Sequence, residues 1–580
     1  MMRKKIITTC FFFSLFSAGL FAQDVKEKVK EKLNISGTMG ITYEGYGLDV
    51  KPTGSNFYNP RRPWNQVRFN FAPSIQFSEK FTLPLNFNFA TVATNFAGPY
   101  AGLKNQSVGQ FITNPMNNFS INPKYKWAEL LLGTQYVNYS DLSTGDIGIF
   151  GAGFNLHPGD FMIKFFTGLS QQSINYSPLP LPNGVTGAYK RNHFMFQFGR
   201  EKEGNYKIAL NFSKGKDVIG SVASPPLLVK PQEGFNFSLQ VDKFFNKGWF
   251  FKAEVGQSIF TQDLNQPVAN VNTNLSFKPF IEGRTSTIKD VAAIGSIGKK
   301  SPNFDISYAT KYIGAGYQTT GFPLMQPDKW DNTINTRFNA WKNKINVTAS
   351  IGQRINNLSN TALKAEQFIG NINWFTQFSD KFSVNINYNN FGFESASGSN
   401  PFGIKNVSND LGISPTYTWS SSTMTNILTM SYNYSKYDER DVISGIVTSN
   451  NTHTALLTYV PVYFNKELTP DFSVLYFSNT MPSFKNSLLT FSSSIGFPIA
   501  KKKVQLKGQL QYTIGKINTF TANKNLIASC NIDWKIDKKI SWNTFLSTNY
   551  FKYGDELGSV PLIGANYLES NIRTGFQYKF

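Results

Sequence analysis

The sequence predicts an all-β protein, a large antiparallel transmembrane β-barrel of about 26 strands, within a range of roughly 22 to 30. Three observations predict it. Apolar and polar residues alternate with a period of two along most of the chain, the period of a strand with one buried face. Short polar turns alternate with longer connections. The chain is 15% aromatic and only 16% charged, yet beyond its first residues it has no run near the ~18 apolar residues a membrane helix needs. A barrel strand needs only every second residue to be apolar, so a membrane barrel is polar on average. A large secreted sandwich or propeller gives no reason for the regular alternation of connection lengths.

The first element expected is an export signal over residues 1–22. Arg3, Lys4 and Lys5 supply its basic start, Ile6 to Phe16 is largely apolar, and Ser17, Ala18, Gly19 and Ala22 are small. Cleavage is expected between Ala22 and Gln23. The apolar run is short for a membrane anchor, and Cys10 lacks the context of a lipoprotein. The next stretch, DVKEKVKEKL over Asp24–Leu33, puts Val25, Val29 and Leu33 at helical spacing. Residues 23–32 are therefore expected to form a short periplasmic leader, and residues 33–580 the barrel, with no separate plug domain. Cys10 leaves with the signal, so Cys530 has no partner for an internal disulfide.

Strand pairs come in chain order. Val67, Phe69, Phe71, Pro73, Ile75 and Phe77 share one face, and Phe81, Leu83, Leu85, Phe87 and Phe89 return after Ser78–Lys80. The pattern recurs at Phe194–Phe198 and Tyr206–Phe212, at Phe235–Val241 and Phe251–Val255, at Phe382–Tyr388, and at Ile540–Leu546. Short turns are expected at Ser78–Lys80, Glu201–Asn205, Asn246–Gly248, Trp341–Lys344, Ser379–Lys381, Asn465–Glu467, Lys501–Lys503 and Asp537–Lys539. Long connections are expected at Thr91–Asn117, Gln171–Arg191, Gly215–Glu233, Gln262–Thr287 and Gln318–Lys329. The first strand is expected at Leu33–Tyr43 and the last at Asn566–Phe580.

Aromatic residues gather beside the short turns: Phe81, Trp127, Phe244, Phe245, Trp249, Trp341, Phe378, Tyr463 and Phe464. Amphipathic rings favour the headgroup level, so these residues are read as the inner girdle. INPKYKW from Ile121 and ISPTYTW from Ile413 echo one another, and each is expected to reach that interface with a Tyr and a Trp.

The last ten residues, NIRTGFQYKF, alternate to the final aromatic residue. A barrel has no free edge, so this strand must pair with the first. Arg573-x-Gly575-x-x-Tyr578-x-Phe580 resembles the C-terminal β-signal of bacterial outer-membrane barrels. The resemblance implies that the assembly machinery recognises Gly575, Tyr578 and Phe580. A second resemblance lies at Tyr125–Ser140 and Ile147–Gly168, a Pro-x-Tyr-x-Trp strand followed by a Gly-rich hairpin with a His-Pro-Gly turn. It is similar to uncharacterised outer-membrane barrel proteins of the Bacteroidota and covers under a tenth of the chain. It implies fold and outer-membrane location, and no activity.

Catalytic chemistry finds little support. The three histidines, His157, His193 and His453, lack a second ligand at metal-site spacing. No nucleophile stands beside a general base, so no enzyme activity, metal or other cofactor is expected. Gly151-Ala-Gly153 and Gly314-Ala-Gly316 lie in strand-like stretches without the helix a phosphate site requires, and are read as close backbone approaches. The formal charge is +21, or +18 without Arg3, Lys4 and Lys5, with lysines concentrated in the short turns. Nucleic acid is the wrong partner for this compartment. The charge suits lipopolysaccharide phosphates or anionic solutes, or simply solubilises the rim.

Two functions remain. The first is a passive or loop-gated solute channel, anion-favouring, with Thr91–Asn117 or Gln262–Thr287 folding inward as its constriction. The alternative is a scaffold or subunit of a secretion or assembly machine, with lipoprotein or other barrel subunits as partners.

Overall fold

The computed structural model describes residues 33–580 except 52–61, 63–64, 92–106, 114–116, 146, 177–186, 224, 226–228, 270–275, 360–363, 395–404, 441–445, 466 and 555–565. The expected signal peptide, the cleavage pair Ala22 and Gln23, and the leader lie outside the described residues.

The strands are β1 (Asn34–Lys51), β2 (Asn65–Ser78), β3 (Phe81–Ala90), β4 (Asn118–Ile121), β5 (Lys124–Tyr125), β6 (Ala128–Tyr136), β7 (Gly148–Leu156), β8 (Phe161–Gln171) and β9 (Arg191–Lys202). They continue with β10 (Tyr206–Asp217), β11 (Glu233–Phe244), β12 (Trp249–Thr261), β13 (Thr287–Lys300), β14 (Phe304–Ile313), β15 (Lys329–Ala340), β16 (Ile345–Asn356), β17 (Ala365–Gln377) and β18 (Phe382–Glu394). The ring is completed by β19 (Lys405–Ser420), β20 (Met424–Arg440), β21 (Val447–Tyr463), β22 (Thr469–Met481), β23 (Phe484–Ile499), β24 (Val504–Ile517), β25 (Asn523–Lys535), β26 (Ile540–Lys552) and β27 (Asn566–Lys579).

Each strand pairs antiparallel with its neighbours, and β1 closes on β27 from Thr38↔Lys579 to Lys51↔Asn566. Both β4 and β5 pair with β3 on one side and β6 on the other, so they share one position. Asn122-Pro123 separates them, because proline cannot donate to the ladder. The 27 segments therefore form a closed antiparallel barrel of 26 strand positions, in agreement with the expected architecture. A circular ring of this number at ordinary spacing and tilt is about 50 Å across, backbone to backbone.

The faces sort as the alternation predicts. Ile208, Leu210, Leu239, Val255, Ile297, Met430, Leu457 and Leu510 point outward and are exposed, as a lipid-facing wall requires. Leu510→Arg at the middle of β24 should cost about 2–4 kcal/mol when the barrel is folded into lipid vesicles. Gln511→Arg, one residue on and facing the lumen, should cost far less. Equal losses in a urea titration would place the bilayer elsewhere.

Trp127, Phe245, Trp249, Trp341, Phe378 and Phe464 are exposed beside the short turns, where the girdle was expected. Phe244 is an exception. It pairs with Phe250 in the register of Glu254 and Gly256 and so faces the lumen. The short–long alternation also fails once: β22 and β23, on the side of the long connections, are joined by Pro482-Ser483 alone. Both echo segments reach the short-turn end, in different ways. Pro123 breaks its strand, whereas Pro415 stays in β19 and interrupts only the ladder to β20, between Ile413↔Tyr432 and Thr416↔Thr429.

Candidate functional site

A ring about 50 Å across between backbones, narrowed by its inward side chains, still selects little unless something fills it. Two connections from the long-loop side do so: residues 137–147, between β6 and β7, and 314–328, between β14 and β15. They meet in a parallel bridge at Thr144↔Gly321, with Gly145 N–H donating to Gly321 O at 2.7 Å. Tyr317 Oη donates to Leu142 O at 2.8 Å and Thr319 Oγ1 to Ser143 O at 2.7 Å. Leu142 and Tyr317 pack with Ala292 and Ile313 of the lumen wall.

The wall beneath them is polar and complementary. Gln197 Nε2 donates to Tyr139 O at 2.7 Å. Asn236 Nδ2 donates to Gln318 O at 3.2 Å, and Ser258 Oγ donates to the same carbonyl. Gly316 N–H donates to Asp290 Oδ2 at 2.7 Å. His193 bonds Thr320 Oγ1 through Nε2 at 3.0 Å and Ser170 Oγ through Nδ1 at 2.6 Å. At the centre the Glu254 carboxylate, 3% exposed, accepts from the hydroxyls of Ser140 and Ser238. No cation stands within ion-pair distance of it among the described residues. Hydrogen bonds to a charged acceptor are worth about 1.5–3 kcal/mol each and matter most where water is excluded. Burial first, then the charge of Glu129, raises the Tyr139 phenol above its ordinary value. Burial likewise raises Tyr317, so both phenols stay neutral at any ordinary pH; Tyr317 donates to Leu142 O, while the buried Tyr139 hydroxyl has no hydrogen-bond partner among the described residues.

A second, apolar contact supports this latch. Val137 and Tyr139 pack on Leu131, Ile149, Phe166 and Met195, which are inward-facing side chains of β6 to β9. The described parts of the two loops expected to constrict the pore lie on the opposite face. Phe277, Phe280 and Ile281 pack on Phe235, Phe237 and Ile259, whose side chains point away from Asn236, Ser238 and Ser258. Phe111, in the single helical turn Val108–Ile112, packs on outward Phe89 and Phe119. Of Thr91–Asn117 and Gln262–Thr287, the loops expected to form the constriction, the described anchors are outward aromatic side chains, and residues 92–106, 114–116 and 270–275 lie outside the described residues; the described loops with polar partners on the lumen wall are those of the latch.

The other residues singled out by the sequence lie elsewhere. Gly151 and Gly153 lie within β7, and a Cβ at Gly151 would come within 1.9 Å of Thr167 O, the expected close approach. Gly314 and Gly316 lie beyond the end of β14, where the chain turns into the lumen, not in a strand. His157 occupies the β7–β8 turn, its imidazole held below its ordinary value by burial and then by Lys164. His453 points outward between Tyr432 and Tyr434, with Nδ1 bonded to Tyr432 Oη at 2.8 Å. His157 lies at the short-turn end of β8, His193 pairs near the other end of that strand, and His453 is on β21; no group of metal-binding side chains forms among the described residues.

In the closing strand, Arg573 faces the lumen 3.6 Å from Glu44, which lies 3.6 Å from Arg68. Gly575 opposes Thr42. Tyr578 and Phe580 face outward with ring centroids 5.9 Å apart, and Phe580 lies 6.2 Å from Phe71 of β2. Other lumen charges are also paired: Arg191 with Asp217 at 2.7 Å, Arg354 with Asp331 at 2.7 Å, and Arg337 with Asp305 at 2.9 Å.

No family model matches the chain, and no curated protein matches it by sequence. Among solved structures it is similar to OccAB2 of Acinetobacter baumannii, at 10% identity and a TM-score of 0.30, over 66% of this chain and 100% of that one. It is similar to the translocation pore of the P pilus usher PapC, at 11% identity and 0.36, over 95% and 99%. It is also similar to the ferric enterobactin receptor PfeA of Pseudomonas aeruginosa, at 9% identity and 0.41, over 94% and 80%. Likenesses this distant assign no function to this chain.

Proposed function

We propose that this chain is an outer-membrane channel for solutes, passive and gated by its own loops. The observation that carries the reading is the latch. Residues 137–147 and 314–328 are bonded to each other and to the inner wall of β9–β13, and no described residue covers the opposite wall. The latch narrows a ring that would otherwise be too wide to discriminate, and it leaves a path. The anion preference suggested by the net charge rests on the lysines of the short-turn rim, such as Lys501–Lys503 and Lys538–Lys539, because the wall arginines Arg191, Arg337 and Arg354 are paired. Rim charge of one sign raises the local concentration of its counter-ion. Assembly is proposed to depend on recognition of Gly575, Tyr578 and Phe580 by the insertion machinery, and the long-connection side of the barrel, opposite these lysines, is proposed to contact lipopolysaccharide phosphates.

Mild detergent extraction and native mass measurement test the stand-alone reading. A particle of one chain, or of a few identical chains, is expected. Stoichiometric foreign subunits would instead make this barrel a scaffold or subunit of a secretion or assembly machine.

A further inference from the structure

The two halves of the lumen wall differ in chemistry as well as in cover. Beneath the latch, His193, Gln197, Asn211, Asn236, Glu254 and Ser258 are all at most 3% exposed. Across the ring, inward residues of β17 to β26 remain open to water. Asn371, Asn373, Asn433, Gln509 and Asn543 are exposed, and Asn385, Asn387 and Asn389 are half-buried. The polar positions of this open wall are nearly all carboxamides and hydroxyls, interspersed with apolar side chains such as Leu456, Leu475, Leu488, Ile527 and Phe545. Asp410, Asp471, Lys507 and Asp533 are its inward charges between the strand ends.

The side chains form rows across the strands. Asn385 Nδ2 donates to Asn373 Oδ1 at 3.3 Å, and Asn371 Nδ2 to Asn389 Oδ1 at 3.2 Å. Ser414 bonds Ser431 at 2.9 Å, Ser473 bonds Ser492 at 2.6 Å and Thr490 bonds Thr513 at 2.9 Å. Gly412 serves one such row. A Cβ there would lie 2.3 Å from both Asn387 Oδ1 and Asn433 Oδ1, so only glycine lets the two carboxamides close over the strand.

We infer that this amide-and-hydroxyl wall is the permeation path, and that its solutes are uncharged and rich in hydroxyl groups, of the saccharide class. The inference rests on the channel reading and names its substrate. Each carboxamide carries donors and acceptors, and each hydroxyl carries both. A sugar hydroxyl likewise donates and accepts. It can exchange bonds with water for bonds with the wall at almost no net cost, since such an exchange is worth only about 0.5–1.5 kcal/mol per bond. Strands about 4.8 Å apart, with inward residues about 7 Å apart along each, repeat these groups at the scale of a sugar ring. A charged solute finds few fixed charges of either sign on this wall. Most inward charges, among them Arg191, Asp217, Asp290, Asp305, Asp331, Arg337 and Arg354, lie on the other half, between β9 and β16, part of which the latch covers.

The test uses the full chain in proteoliposomes, with swelling measured for glucose, gluconate and glucosamine, three solutes of one size and different charge. Glucose is expected to enter fastest. Asn373→Lys with Asn433→Lys should slow glucose severalfold and shift the preference toward gluconate. To locate the path, Asn433→Cys is made with Cys10→Ser and Cys530→Ala, Cys530 being an outward-facing residue of β25. A charged methanethiosulfonate reagent is expected to reduce flux through Asn433→Cys and to leave Ser238→Cys, beneath the latch, unmodified. Gluconate entering faster than glucose, or Asn433→Cys remaining unmodified, would overturn the inference while salt conductance kept the channel reading intact. Absence of both sugar entry and salt conductance would remove the channel reading itself.

Discussion

Replacing residues 138–146 by a two-residue turn should raise single-channel conductance by about twofold or more, because the latch fills the part of the lumen between β6 and β14. The barrel should survive. Tyr136 and Gly148 are directly paired at the strand ends, so Val137 and Ile147 can extend the ladder by one pair, which the two-residue turn closes. The β6–β7 ladder is untouched. The excision removes the carbonyls of Leu142 and Ser143 that accept from Tyr317 and Thr319, so residues 314–328 lose their partner as well. It also uncovers Phe166 and Met195, which are wholly buried, so some loss of thermal stability accompanies the gain in current. Glu254→Gln makes the finer cut. It keeps the shape but removes the charge that holds Ser140 and Ser238, and should give frequent brief openings without a change in barrel stability. Unchanged current in both variants would show that these loops do not limit passage.

Tyr578→Ala combined with Phe580→Ala should reduce the amount of assembled barrel in the outer membrane severalfold, while refolding of the purified chain into lipid vesicles falls much less. The rings face outward at the seam, where Phe580 meets Phe71, and truncating half-exposed rings costs only about 1–2 kcal/mol of burial. The seam itself is a backbone ladder from Thr38↔Lys579 to Lys51↔Asn566 that alanine leaves in place. A loss confined to cells therefore reports recognition, and equal losses in cells and vesicles would report stability alone. Phe580→Tyr should restore assembly, because it keeps the aromatic end.

The ring was legible because one rule, alternation, governs nearly every strand. It gave the position of β27 to within a residue and the order of the hairpins. The latch was not legible for the same reason. Tyr125–Ser140 reads as one strand because Val137 and Tyr139 continue an apolar alternation. In the structure those side chains leave the sheet and pack on Leu131, Ile149 and Phe166 from the lumen side. The signal that marks the departure is Ser140-Asp-Leu-Ser-Thr-Gly145-Asp, a turn-forming run too short to stand out beside loops of twice its length. Composition and length drew attention to Gln262–Thr287, but its described anchors, Phe277 and Phe280, are aromatic and suit an outer wall. Glu254 shows the limit most clearly. A lone acid in WFFKAEVGQ looks like any polar lumen residue, and its role comes from Ser140, more than a hundred positions earlier in the chain.

Current through the purified, intact chain in a planar bilayer is the decisive measurement for a latched channel. Discrete steps of one size are expected in potassium chloride, enlarged by excision of residues 138–146. A chain shown to be folded in the same bilayer that passes no current, with or without the excision, would contradict the channel and leave the barrel as a structural partner of other proteins.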